Sequence, residues 1–174
     1  MKRPWDINEF CARVHKLNAK WWQDLHTGKP IQRSNYELLA LVISELAECL
    51  EGERKGLMDD HLPHRRMAEV EMADAYIRLA DYTAGFGYNL SLEDPVVKHP
   101  EGGKGDALFF IMEEICPIYA HPEYHLAEAF AMIEGYCDKY GYDLFGAIEE
   151  KLAYNAVRKD HTHEARKAAG GKAF

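Results

Sequence analysis

Apolar residues recur three and four positions apart along most of this chain, and no stretch alternates as a strand does. Leu38, Leu39, Val42, Leu46 and Leu50 form one such stripe. It predicts a helix that Ser34 or Asn35 can cap and that runs to about residue 53. Met67, Val70, Ile77 and Ala80 mark another helix over 64–84, closed by Gly85 and Gly87. A first helix is expected over 5–26, stopped by Thr27-Gly28-Lys29-Pro30, and helical spacing returns over 107–115, 124–139 and 144–157. Residues 91–105, rich in Pro and Gly, read as a loop, and 158–174, which lack a stripe, read as an extended basic tail. The expectation is a single all-α domain, a helical bundle, over 1–174. Its first part, 1–90, is followed by the loop, a second helical half over 106–157, and the tail.

An internal echo crosses the loop. ADAYIRLADYTAGFGYNL at 73–90 matches AEAFAMIEGYCDKYGYDL at 127–144 loosely, with Gly-Tyr-Asn-Leu against Gly-Tyr-Asp-Leu. Two amphipathic helices with similar ends account for it, and so does a degenerate internal repeat of a helical hairpin. In a repeat, Pro117, His125 and Glu128 stand where the first copy has Glu48, Glu71 and Asp74.

The chain has 174 residues, 47% hydrophobic and 29% charged, enough for a sizeable core and unlike a disordered segment. Acids outnumber bases 29 to 21, which argues against a binder of nucleic-acid polymers. The net charge of −8 is uneven: residues 1–33 carry +4, 34–150 carry −16 and 151–174 carry +4. An acidic centre between basic ends suits a small, metal-bound polyanion. Cys11, Cys49, Cys116 and Cys137 are widely spaced and expected to fill apolar helix faces in a reducing compartment. The basic start has no apolar run behind it and no segment is long enough to span a membrane, so a cytoplasmic protein without a membrane partner is expected.

Against that background, Glu45-x-x-Glu48 and Glu71-x-x-Asp74 carry the chemistry. Residues three apart share a helix face, so each pair can aim two carboxylates at one place. Glu45 continues a face begun by Leu38 and Leu41, and Asp74 sits between Val70 and Ile77. Carboxylates set into apolar stripes are costly unless paired or bound to a cation. Four of them between two antiparallel helices call for a hard divalent ion, Mg²⁺ or Mn²⁺, rather than zinc. A solvated acidic face, or ion pairs with Arg54, Arg65, Arg66 and Arg78, is the competing explanation. If the acids cluster, neutralising Glu48 or Asp74 should raise stability in metal-free buffer by relieving repulsion. Other metal chemistries lack their signatures: no Glu has a His three residues later, and there is no His-Glu-x-x-His. Gly102-Gly103-Lys104-Gly105 lacks the Ser or Thr and the preceding strand of a phosphate loop, and His161 and His163 read as surface.

Two further groups complete the picture. Lys151, Asn155 and Arg158 share one face of the last helix, beside Tyr154, and offer charges and an amide that phosphate oxygens can accept. Cations favoured by a helix C-terminus would look the same. The tail adds Lys159, His161, Arg166 and Lys172, with Gly170-Gly171 permitting close backbone approach. His15, Asn18 and Trp22 share a face of the first helix, with Trp21 adjacent, and present hydrogen-bonding groups and a stacking surface for a nucleobase. One of the two tryptophans is expected in the core and the other toward ligand.

Taken in order, Ser44-Glu45-Leu46-Ala47-Glu48, 22 intervening residues, Glu71-Met72-Ala73-Asp74 and the later KLAYNAVRKDH resemble a known pattern. It is that of the MazG-like, all-α nucleoside triphosphate pyrophosphohydrolases, the superfamily that includes the dimeric dUTPases. The likeness covers about 13–90 and 151–174. It implies hydrolysis of an NTP or dNTP to the monophosphate and pyrophosphate, with Mg²⁺ held by Glu45, Glu48, Glu71 and Asp74. By the same resemblance Lys151, Asn155 and Arg158 hold phosphates, while His15, Asn18, Trp21 or Trp22 face the base. Ser44 stands where the family has a glutamate, which leaves the water-activating role between Glu45 and Glu48. The segment between Leu90 and Lys151 is longer than in minimal members. A homodimer or higher homo-oligomer is expected, as relatives build sites between chains. A base-specific dUTPase, a phage-type dGTP or dATP diphosphohydrolase, and a non-catalytic helical interaction module are the alternatives.

Overall fold

A computed structural model describes residues 2–91, 102–159 and 162–170, together forming seven α-helices. They are α1 (Ile7–Leu17), α2 (Asn35–Lys55), α3 (Met67–Gly85), α4 (Lys104–Ile115), α5 (Pro122–Tyr140), α6 (Leu144–Val157) and α7 (His163–Lys167). Among the described residues, extended pairing is limited to two isolated bridges, Gln23 with Pro30 and Met58 with Arg66. No described helix is long and apolar enough to cross a membrane. The all-α expectation holds.

Helix α3 is the axis. Val70, Met72, Ala73, Ala75, Tyr76, Leu79, Ala80 and Tyr82 are all buried, because α1, α2, α5 and α6 pack around it. Its alanines let neighbours come close, and so does Gly52 of α2, where an added Cβ would lie 2.9 Å from the Ala68 nitrogen. Buried tyrosines need partners for their hydroxyls. Tyr76 donates to Glu134 at 2.8 Å, Tyr82 to Asn35 at 3.0 Å and Tyr136 to Glu53 at 2.7 Å.

Ser34 caps α2 by accepting from the Glu37 amide, and α6 has the span its stripe predicts. The first helix is shorter than expected. Asp6 caps it, accepting from the Asn8 and Glu9 amides, and it ends at Leu17. Asn18 then opens a 3₁₀ turn over Ala19–Trp22. A tight turn follows, in which the Asp24 side chain accepts from the His26 and Thr27 amides and Gly28 adopts φ +67°. Helix α4 begins at Lys104, inside the expected loop, because Asp106 accepts from the Gly103 amide at 2.7 Å. Residues 92–101 of that loop lie outside the described residues.

The echoed ends of α3 and α5 are the same local structure. Gly87 and Gly141 take φ of +74° and +73°. The Tyr88 and Tyr142 amides then reach back to the Thr83 and Cys137 carbonyls, each at 2.9 Å.

Two expectations need correction. Cys116 is exposed on a 3₁₀ turn after α4, while Cys11, Cys49 and Cys137 are buried as expected. The tail is not simply extended. Thr162 caps the short α7, and Arg166 is buried with its guanidinium 4.0 Å from the centre of the Trp21 ring. A cap, a cation–π contact and a hydrogen bond from Arg166 to the Lys20 carbonyl at 2.8 Å anchor what an apolar stripe does not. His161, Gly171, Lys172 and the His163 side chain lie outside the described residues.

Candidate functional site

A cleft of about 650 Å³, the size of a small-molecule site, is lined by α2, α3, α6 and the 3₁₀ turn. Most of the site residues expected from distant segments meet there, but His15 and Trp22 do not line it. Glu45, Glu48, Glu71, Asp74, Lys151, Asn155, Arg158, Asn18 and Trp21 all face it.

Glu45, Glu71 and Asp74 present carboxylate oxygens within 4.8 Å of one another. This follows from their register: Glu45 lies between the buried Val42 and Leu46, and Asp74 between Val70 and Ile77, on helices that Gly52 allows to pack closely. Glu48 lines the same cleft but is exposed and stands outside the trio, because Cys49 takes the buried place beside it. Burial, then the charges of Asp74 and Glu45, pushes the Glu71 carboxyl well above the usual range, and Glu71 shares a hydrogen bond with Glu45. Asp74 is pushed up to about 6, chiefly by burial, with Lys151 opposing.

Two cations reach into the cluster. Arg78 Nε donates to Glu45 Oε1 at 2.6 Å, and Lys151 Nζ lies 2.7 Å from Asp74 Oδ2. Lys151 is buried because it continues the Leu144, Ala147, Ile148 face of α6. Arg65 pins that helix, bonding Glu69 at 3.0 Å and Glu150 at 2.8 Å. Of the arginines offered as partners for the acids, Arg78 meets the cluster, while Arg65 braces α6 and Arg54 pairs with Glu51 at the surface. The donor set fits a hard divalent cation: it is oxygen-only and crowded, and burial with mutual repulsion raises the pKa of Glu71 and Asp74.

Asn155 lines the cleft with its Oδ1 buried and without a hydrogen-bond partner among the described residues. Arg158, at the C-terminal cap of α6, lies over the Tyr154 ring at 5.6 Å.

At the other end, His15, Asn18 and Trp22 converge, though the helix expected to align them stops at Leu17. The 3₁₀ turn brings them to Asp81 of α3. Its Oδ1 is 2.8 Å from His15 Nδ1 and accepts from Trp22 Nε1 at 3.1 Å, and Asn18 adds a side-chain hydrogen bond. Burial raises the Asp81 carboxyl, against these bonds. Trp22 is packed inward: it meets His15 and Phe86 edge-on, and a Cβ on Gly85 would come within 2.2 Å of its ring. Trp21 lines the cleft under Arg166, and Arg33 donates to its carbonyl at 2.9 Å.

Asp81, Arg33 and His61 are lining residues that the sequence reading missed. Asp81 follows Asp74 by seven positions, which is a signal on the same face. Arg33 and His61 lie in connections and carry none. Burial, then the Arg158 and Lys151 charges, lowers the His61 pKa.

No family model matches this chain, and neither a curated protein nor a solved structure matches it.

Proposed function

We propose that the protein is a nucleoside triphosphate pyrophosphohydrolase dependent on Mg²⁺ or Mn²⁺. One observation carries the reading: an acidic trio, a cationic helix face and an aromatic turn, drawn from four separate segments, line one nucleotide-sized cleft. Glu45, Glu71 and Asp74, with Glu48 at the rim, would hold the ion. Such an ion supplies neutralisation of the triphosphate charge and a lowered pKa for water in the site. Arg158 and the Asn155 amide bind the phosphates. Glu48 is the carboxylate that solvent reaches, and it accepts the proton of the attacking water. The new P–O bond to water replaces the bridge between the α- and β-phosphates, releasing monophosphate and pyrophosphate. Trp21 offers its ring to the base, while Asp81 holds His15 and Trp22 in place behind it.

The test is a panel of canonical and modified NTPs and dNTPs with Mg²⁺, read as pyrophosphate against orthophosphate. Pyrophosphate release that Glu48→Gln abolishes with helicity intact is the expected result. A folded protein that turns over none of the panel is a helical interaction module instead. Base-specific turnover would select the dUTPase or the dGTP or dATP form of the reading. Self-association and a cytoplasmic location belong to the same proposal. Tyr36, Phe109, Phe110, Tyr119 and Tyr124 are exposed apolar surface for self-association. Light scattering at the monomer mass of 19.9 kDa, at micromolar concentration, would defeat the oligomer.

A further inference from the structure

Lys151 is the most deeply buried cation of the cleft, 2% exposed against 7% for Arg33. Its ammonium sits on Asp74 at 2.7 Å, and Glu71 is the next charge acting on it. A buried ammonium persists only where fixed partners replace its water. One turn further along α6, Asn155 Oδ1 is a buried acceptor with no donor. We infer that Lys151 is the internal counter-ion of the acidic cluster in the free protein. When a divalent cation takes Asp74, Lys151 gives it up and turns to Asn155 and to a phosphate of the ligand. The inference rests on the cation-site reading above; the phosphate contact of Lys151 is what the resemblance implies, and the counter-ion exchange that precedes it is the new part.

The physical argument is one of competition. An ammonium and a divalent cation on the same carboxylate place three positive charges within a few ångströms, in a site from which most water is excluded. The ion alone must displace the ammonium and leave it without an anion. An ion arriving with polyphosphate brings that anion along. Metal and polyphosphate therefore bind cooperatively, and the coupling runs through one side chain. Arg78 on Glu45 is the internal control. Its side chain is 40% exposed, so water both screens it and receives it when displaced.

Calorimetric titration of Mn²⁺ into the full-length wild type, Lys151→Met and Arg78→Gln, with and without inorganic triphosphate, tests this. Lys151→Met should bind Mn²⁺ alone at least fivefold tighter than wild type. The enhancement that triphosphate gives the wild type should shrink below twofold, and Arg78→Gln should change both less. Mn²⁺ binding to Lys151→Met that is equal to or weaker than a measurable wild-type affinity overturns the inference. Absence of Mn²⁺ binding to all three proteins overturns the cation site itself, and this inference with it. Should Lys151→Met fail to fold, the Lys151 Nζ resonance of the wild type decides. It should shift on saturation with Mg²⁺ and again on adding triphosphate. An unmoved Nζ while Mg²⁺ perturbs the Asp74 carboxylate overturns the exchange.

Discussion

Helix α2 carries two inward-facing carboxylates about two turns apart, Glu45 buried and Glu53 half-buried, and their surroundings are opposite. Glu53 is complete. Its Oε1 accepts from Tyr136 at 2.7 Å and Tyr142 at 2.6 Å, and its Oε2 from Lys104 at 2.5 Å. Burial alone would raise its pKa, but the bonds from Lys104, Tyr142 and Tyr136 win and hold it low. Glu45 instead shares its place with Glu71 and Asp74, and two cations serve three carboxylates. There the pKa values of Glu71 and Asp74 rise. One carboxylate is finished by the fold. The other group is left short of positive charge, and a deficit at a cleft is what a ligand can make good.

The sharpest way to break the comparison is to neutralise each site. Asp74→Asn should cut pyrophosphohydrolase turnover by about 100-fold or more, since it removes a site carboxylate and frees Lys151. It should also lower stability, not raise it as the sequence alone suggested, because Lys151 is left buried without its anion. Glu53→Gln should do the reverse. It should cost about 2–3 kcal/mol in denaturant unfolding, from charged hydrogen bonds lost, and leave turnover of the folded fraction near normal.

Next in size are the cations. Arg158→Ala should melt near wild type and lose about tenfold in turnover or affinity, equivalent to about 1.4 kcal/mol. Lys104→Met, on the Glu53 side, should lower the melting temperature and spare activity. Full activity of Arg158→Ala on every nucleotide would remove the phosphate role from that face.

The smallest effect sets the sign of the pH dependence. The Glu71 pKa is higher folded than unfolded, so its contribution to stability is whole below the unfolded value. It is lost as pH rises toward the raised folded value. In metal-free buffer Glu71→Gln should therefore match wild type near pH 4 and exceed it at pH 8, by on the order of 1 kcal/mol, or a few degrees. Saturating Mg²⁺ should reverse the order at pH 8. A constant difference across pH would mean that Glu71 is not crowded by its neighbours.

What the sequence disclosed follows from what periodicity can carry. Glu45, Glu71 and Asp74 interrupt apolar stripes, and a stripe fixes direction, so their convergence was legible. Glu48 obeyed the same spacing but falls beside the buried face, next to Cys49, and so reaches the cleft only at its rim. Lys151 was legible as a residue but not in its bond to Asp74, because a pair on α3 and α6 depends on how those helices are placed. The bonds that gather His15, Asn18 and Trp22 on Asp81 depend on a 3₁₀ turn with no apolar period. Arg166 was hidden for a similar reason: the Trp21 ring and the Lys20 carbonyl that hold it lie in another segment.

The burial of most of α3 has a consequence for motion. Four helices pack on it, so the amides of its buried middle should be among the slowest in the protein to exchange hydrogen. Glu71, Asp74, Arg78 and Asp81 all hang from it. The cleft thus has one wall that behaves as an anvil. Any closing around a ligand must be done by the opposite wall, where α6, pinned by Arg65, ends at Arg158 and leads toward α7.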